Sequence, residues 1–197
     1  MALLQLPLFP LDIVVLPFEE VPLHIFEPRY KGMVKTSLAQ DKPFGIVFKD
    51  NRTIDSIGCS VEITQVLKTY TTGEYDIVVT GKKRFKIMNR TKNGDLWVGH
   101  VEFFHDQEVG ENNLFKELQD EYLRVLLKFG IEDNMELHLN KKFSFEFVKG
   151  ILLSIPIKKK LLELANEKDR LSFIKNLFNE IHSQSPIIQN GQNIPEA

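Results

Sequence analysis

The sequence predicts an α+β fold: a β-rich domain over residues 1–108, an α-helical domain over 109–184 and a polar, disordered tail over 185–197. Three observations predict it. Residues 6–104 hold short apolar or alternating runs separated by polar turns, the spacing of a barrel or folded sheet and not of βαβ units. From Leu114 onward the apolar residues recur with the period of a helix. A single strand-to-helix stretch, PLHIFEPRYKGMVKTSL at residues 22–38, organises the β-rich part.

Residues 6–9 and 13–16 are apolar runs between prolines, suited to strands at a barrel edge. In the short strand that follows, Leu23 and Ile25 share one face and His24 and Phe26 the other. Pro28 has no amide donor, which suits the first turn of a helix, and it drives Glu27 out of the α region, so the strand ends there. The Glu27 carboxylate then lies at the positive end of the helix dipole. Tyr30, Met33, Val34 and Leu38 form one apolar stripe, while Arg29, Lys31 and Lys35 point elsewhere.

FGIVF at residues 44–48 is a compact strand followed by the turn Lys49-Asp50-Asn51. Cys59, Val61 and Ile63 alternate until the phase breaks at Gln65-Val66-Leu67, which predicts a bulge. Thr71-Thr72-Gly73-Glu74 predicts a hairpin turn, residues 75–80 the returning strand, and Phe85 and Ile87 the apolar side of the next one. Asn93-Gly94 is a strong hairpin signal ahead of a strand over 96–104.

Leu114, Leu118, Tyr122, Leu126 and Phe129 predict a helix that Gly130 ends. Ser144 caps an expected helix over 145–153, which Ile155-Pro156 stops. Leu161, Leu162 and Leu164 belong to a further helix. After the polar stretch Asn166-Glu167-Lys168-Asp169, the residues Leu171, Ile174, Leu177, Phe178 and Ile181 form the last stripe. From His182 the chain turns rich in Gln, Asn, Ser and Pro, the composition of a loose tail.

The length of 197 residues suits one large domain or two small ones. Net charge is −2, with 13 basic and 14 acidic residues up to Glu108 and 12 and 13 after it, so no general polyanion-binding field is expected. The single cysteine, Cys59, excludes an internal disulfide framework and reads as a buried, small apolar residue. The apolar N-terminus lacks a positive leader, and Pro7, Pro10, Asp12 and Pro17 interrupt it, so it does not read as a signal peptide. No apolar run reaches the roughly 18 residues of a membrane helix, and a cytoplasmic protein is expected. The chain lacks a P-loop: Thr80-Gly81-Lys82-Lys83 has no upstream glycine, and Arg84 follows it. No GxSxG or HExxH occurs, and no metal or cofactor is expected.

From Leu6, the run LPLFPLDIVVLPFEEVPLHIFEPRYKGMV resembles the opening of the Lon protease N-terminal domain, the substrate-binding part of that protease. That family's leader runs LPLFPL, then a VLFPG-like step, then PLHIFEPRY; here the middle step is Val15-Leu16-Pro17-Phe18, with Glu19 at the usual glycine. FGIVF, the segment around Gly58 and Ile63, DIVVTGKKRFKI and IPIKKKLLELANEKDRL resemble later family segments, with Cys59 where Thr is frequent and Lys160 where Gln is usual. The resemblance implies a PUA-like β pseudo-barrel with one main helix, beginning at Pro28, followed by an α-helical domain. It implies a protein-recognition module that binds unfolded or degron-like segments, with a protease or chaperone as a further partner. A full Lon protease adds ATPase and Ser–Lys peptidase modules; this sequence carries the motifs of neither, so no enzymatic activity is expected.

The candidate substrate-binding residues are His24, Phe26, Glu27, Arg29, Tyr30, Phe103 and Phe104. His24 and Glu27 could form an acid–base pair in a pocket. The preferred reading is structural: a hydrogen-bonded strand histidine and a carboxylate that fixes a helix start. Arg29 reads as a clamp from helix to a neighbouring strand or loop. Phe103 and Phe104 alternate on a strand, which puts them on opposite faces and leaves one to pack on the helical region or to hold a client. Lys82, Lys83, Arg84, Lys86, Arg90 and Lys92 are the one basic cluster, with Arg84 and Lys86 pointing away from Phe85 and Ile87. It reads as a solvated face, with RNA binding as the alternative that a PUA-like fold suggests. A small-molecule pocket at the strand–helix junction is the remaining alternative.

Overall fold

A closed ring of strands organises the first half of the chain. The computed structural model describes residues 4–106, 113–131 and 135–183. Six strands form one mixed sheet: β1 (Leu4–Leu11), β2 (Glu20–Ile25), β3 (Phe44–Lys49), β4 (Ile54–Thr69), β5 (Tyr75–Asn93) and β6 (Leu96–Phe103). Their order is β2-β5-β4-β3-β1-β6, and an additional β5–β6 pairing closes the ring, with β2 added outside it on β5. β1 and β3 run parallel; the other pairs are antiparallel. Helix α1 (Pro28–Gln40) follows β2 directly, with Pro28 in its first turn and Glu27 as its N-cap.

The helices α2 (Asn113–Lys128), α3 (Met135–Leu139), α4 (Ile155–Glu163) and α5 (Glu167–Ser183) follow the sheet. The sharpest amphipathic stripe buries Leu118, Tyr122, Val125 and Leu126 of α2 against Ile174 and Phe178 of α5. No helix among the described residues is long and apolar enough to cross a membrane. The expected boundary near residue 108 and the expected tail over 185–197 lie outside the described residues.

Several expectations change in three dimensions. Residues 13–16 form no strand. They run as an extended connector whose side chains alternate: Val15 enters the core inside the ring, and Val14 and Leu16 enter the helical core. The strands expected at 75–80 and around Phe85 are one strand of 19 residues that pairs in turn with β2, β4 and β6. The bulge expected at 65–67 is present as register shifts between β4 and β5. On α1, Ser37 is buried where Leu38 was expected, and Leu38 is exposed. On α2, Phe129 is exposed beyond the helix end, although Gly130 does adopt the left-handed conformation expected of it. The helix expected over 145–153 is a short 3₁₀ turn, Ser144–Val148, and Pro156 opens α4 instead of closing a preceding helix. The sequence reading treated that proline as a stop, but its missing donor serves equally well at a start.

The connector's turn is stitched to β5. Phe18 donates its amide to the Gly81 carbonyl at 2.8 Å, and Gly81 donates to the Glu19 carbonyl at 2.9 Å. Phe18 holds a left-handed φ of 66°, unusual for a bulky residue, and its ring packs against Phe143 at 5.4 Å. Gly81 is required here, because a Cβ would meet the Leu16 carbonyl oxygen at 2.1 Å.

The largest departure is Arg84. The sequence placed it with Lys86 on a solvated face; Lys86 is exposed, but Arg84 is fully buried. It donates to both Asp106 carboxylate oxygens, at 3.0 and 2.5 Å, and to the carbonyls of Leu162 and Leu164, at 2.5 and 2.9 Å. These carbonyls belong to the C-terminal end of α4, where backbone acceptors lack helical partners. Arg170, 1% exposed, meets Asp106 at 2.7 Å and donates to the Leu164 carbonyl at 2.6 Å. Glu167 completes the cluster by pairing with Arg170 and accepting from the Ser144 amide and hydroxyl. The helical elements cover this part of β5, which no local pattern reveals.

Removing one partner from a buried, charged network leaves the others unpaired. Arg84→Met is therefore expected to lower stability by about 3–5 kcal/mol, read as a lower urea midpoint. Lys86→Met, one pleat away and exposed, is expected to stay within about 0.5 kcal/mol.

Candidate functional site

Helix α1 lays Arg29, Gly32, Met33, Thr36 and Ser37 along one face, at spacings that bring residues three and four apart together. This face forms one wall of a cavity of about 640 Å³. Leu4, Gln5, Leu6 and Pro7 of β1 form the facing wall, and Pro43, Phe44, Leu96 and Phe103 complete the apolar lining. Among the described residues, Arg29 and Lys42 are the charged lining residues, and no carboxylate lines the cavity.

A second cavity of about 990 Å³ lies toward the helical elements and shares Leu4, Pro43 and Phe103 with the first. Phe18, Phe104, Phe143 and Phe145 supply its aromatic lining, and Lys82, Lys83, His105, Glu62 and Asp106 its polar lining. The shared residues make the two cavities neighbours along one groove. β1, β6 and the turn at Pro43 meet there because β1 pairs with both β3 and β6.

The candidate residues separate into two places. Arg29, Phe103 and Phe104 line the groove. Phe103 and Phe104 were expected on opposite faces, yet both line the second cavity, because β6 ends at Phe103 and strict alternation ends with it. Phe104 stacks under the Arg84 guanidinium at 4.5 Å. Tyr30 is buried beneath the groove face, with its ring 4.1 Å from that of Phe9 and 4.6 Å from the Arg29 guanidinium carbon. Burial raises its phenol pKa. Arg29 does not clamp a strand; it donates to Glu27 at 2.9 and 2.6 Å, two residues before it. Glu27 thereby holds the first turn of α1 through Arg29, with no side-chain cap bond of its own.

His24 and Phe26 line neither cavity. The acid–base pairing of His24 with Glu27 does not occur; His24 Nδ1 instead meets Asp76 Oδ1 at 2.6 Å, across the β2–β5 pairing. Tyr70 donates its hydroxyl to Asp76 Oδ2 at 2.7 Å. The His24 ring stacks on Phe26 and meets Tyr70 edge-on. His24 and Tyr70 together hold the Asp76 carboxyl below its ordinary value of 3.8, His24 being the larger cause. This is a surface arrangement that ties β2 to β5.

Cys59 is fully buried in the ring core, and burial pushes its thiol up to about 12, far from a reactive thiolate. Among the described residues, no cluster of three His, Cys, Asp or Glu side chains could hold a metal ion. Leu4, Lys42 and Pro43 are not among the expected site residues, and Lys83, expected on a solvated basic face, lines the second cavity. They become neighbours only through strand pairing, and none carries a local signal.

The comparisons with known proteins agree with this architecture. The family model for the ATP-dependent protease La (LON) substrate-binding domain matches residues 5–180. The Lon protease of Buchnera aphidicola subsp. Acyrthosiphon pisum (strain APS) is 24% identical over 197 residues; the match covers 87% of this chain and 24% of that protein. The chain therefore spans about a quarter of that relative's length. The crystal structure of a Lon N-terminal domain protein from Xanthomonas campestris superposes with a TM-score of 0.69, at 23% identity, over 86% of this chain and 95% of that one. The N-terminal domain of Mycobacterium avium complex Lon protease gives a TM-score of 0.67 at 19% identity, over 89% and 98%.

The His24–Asp76–Tyr70 arrangement has a pH signature. Because the folded Asp76 carboxyl lies below its ordinary value, its stabilisation is present above 3.8 and is lost as the pH falls through the folded value. Asp76→Asn is expected to lower the melting temperature at pH 7. The gap from the parent should close in melts run at progressively more acidic pH below 3.8.

Proposed function

Because the chain belongs to the family of ATP-dependent protease La (LON) substrate-binding domains, we propose that it recognises protein substrates and performs no catalysis itself. The groove is the place of recognition. It holds unfolded or extended polypeptide segments in a proteolytic context. The observation that carries this reading is the pair of adjoining cavities that share Leu4, Pro43 and Phe103. Their lining surface is mostly apolar, interspersed with polar and charged side chains, which is the chemistry of a ligand-binding cleft. An extended segment laid there buries apolar side chains, worth about 25 cal/mol per Å² before the cost of ordering the segment is subtracted. Binding should therefore be weak and tolerant of sequence.

The basic cluster favours this reading over RNA binding. Arg84 is consumed inside the fold, and Lys82 is paired with Glu62 at 2.9 Å. Arg90 and Lys92 lie over Trp97, away from both cavities.

The test is fluorescence titration of a permanently unfolded, labelled protein such as carboxymethylated lactalbumin. Leu4→Glu and Phe103→Ser are expected to weaken binding about fivefold or more, equivalent to about 1 kcal/mol. Met88→Glu, at an exposed site outside both cavities, should leave it unchanged. Circular dichroism establishes that each variant is folded. Unaltered binding in a folded groove variant would remove the groove from the proposal. Purified protein is also expected to hydrolyse neither ATP nor casein; turnover that follows the protein peak through successive columns would contradict the absence of catalysis.

A further inference from the structure

The charge in the groove is one-sided. Among the described residues, the carboxylates that line it are Glu62 and Asp106. Glu62 is neutralised by Lys82, and Asp106 by Arg84 and Arg170. Lys42 in the first cavity and Lys83 in the second are exposed, and neither has an ion-pair partner among the described residues. Arg29 is paired with Glu27 through Nε and Nη2, so by the same measure it is compensated, and Lys42 and Lys83 are the uncompensated cations.

The cations are also spaced. Arg29 lies in the first turn of α1 and Lys42 just past its last residue, Gln40. A 13-residue helix is about 20 Å long at roughly 1.5 Å per residue. About six residues of extended chain cover the same distance at roughly 3.3 Å each. Between Arg29 and Lys42 the lining is mostly apolar, from Leu6, Met33, Phe44, Leu96 and Phe103, with Thr36 and Ser37 among it.

We propose that the groove selects extended segments whose apolar centre is flanked by acidic residues, and discriminates against the same centre flanked by basic ones. This deepens the substrate-recognition reading and rests on it. The apolar centre supplies adhesion, and the uncompensated cations supply the choice. A lysine-flanked segment would set like charge against Lys42 and Lys83, which have no ion-pair partner among the described residues. Discrimination by repulsion costs nothing when the correct segment binds.

The experiment uses three short fluorescein-labelled peptides with one apolar core and Asp, Gln or Lys flanks, titrated by anisotropy. At low salt the Asp-flanked peptide is expected to bind about fivefold more tightly than the Lys-flanked one, the scale of partly exposed ion pairs. High salt should shrink that gap while leaving the Gln-flanked peptide almost unaffected. The double variant Lys42→Glu/Lys83→Glu should invert the order, and because both sites are exposed it should remain folded. Equal binding of Asp- and Lys-flanked peptides, with all three bound, overturns the charge selection and leaves substrate recognition standing. An acid preference that survives the double variant also overturns it. If none of the three binds, both the selection and the recognition reading fall.

Discussion

Two arginines buried side by side hold this fold together. Arg84 comes from the longest strand and Arg170 from the last helix, and both converge on Asp106 and on the carbonyl end of α4. Placing two cations together without water is costly, and burial pulls the Arg170 guanidinium below its ordinary value, with Arg84 adding to the shift. The arrangement persists because every strong donor finds an acceptor. Asp106 and Glu167 supply negative charge, and the α4 carbonyls supply dipoles whose negative end points at the cations. The rings of Phe104 and Phe145 lie under the guanidiniums and exclude solvent from them. The knot caps a helix end, closes a helical core and joins that core to the strand ring.

The connector at residues 14–16 does the same work with apolar groups. Its alternation divides three consecutive side chains between two cores, so neither core can shift without the other. The turn that follows is held against Gly81 by two backbone hydrogen bonds. Lys158 reinforces it by pairing with Glu19 and donating to the Val14 carbonyl at 3.3 Å. A polar knot at one place and an apolar seam at another leave little freedom between ring and helices.

That rigidity shapes the groove. One wall is α1, anchored by Tyr30, Met33 and Val34 in the ring core; the other is β1, paired on both sides. The aromatic lining toward the helices, Phe104 and Phe145, is the same pair that packs on the buried arginines. Groove lining and structural knot therefore share side chains. A groove with fixed walls suits ligands that adapt to it, such as extended chain, and places the cost of ordering on the ligand.

Much of the fold is legible in local sequence: the strands that alternate cleanly, the helix that Pro28 opens, the Asn93-Gly94 hairpin, the stripes of α2 and α5, the burial of Cys59 and the resemblance to the family. Each rests on periodicity or turn chemistry within a few residues, which the chain records locally. Tertiary structure alone decided the burial of Arg84, whose acceptor Leu162 lies 78 residues away. It decided that Pro156 begins a helix, that Ser37 replaces Leu38 in the core, and that Ser144 serves Glu167 and Arg170 instead of capping. It also decided the groove, which gathers Leu4, Arg29, Lys42 and Phe103 from segments with no pattern in common. The physical reason is the same in each case. A local pattern records which face of an element is apolar, whereas the partner that covers a face, and the space left between two faces, exist only once distant segments have packed.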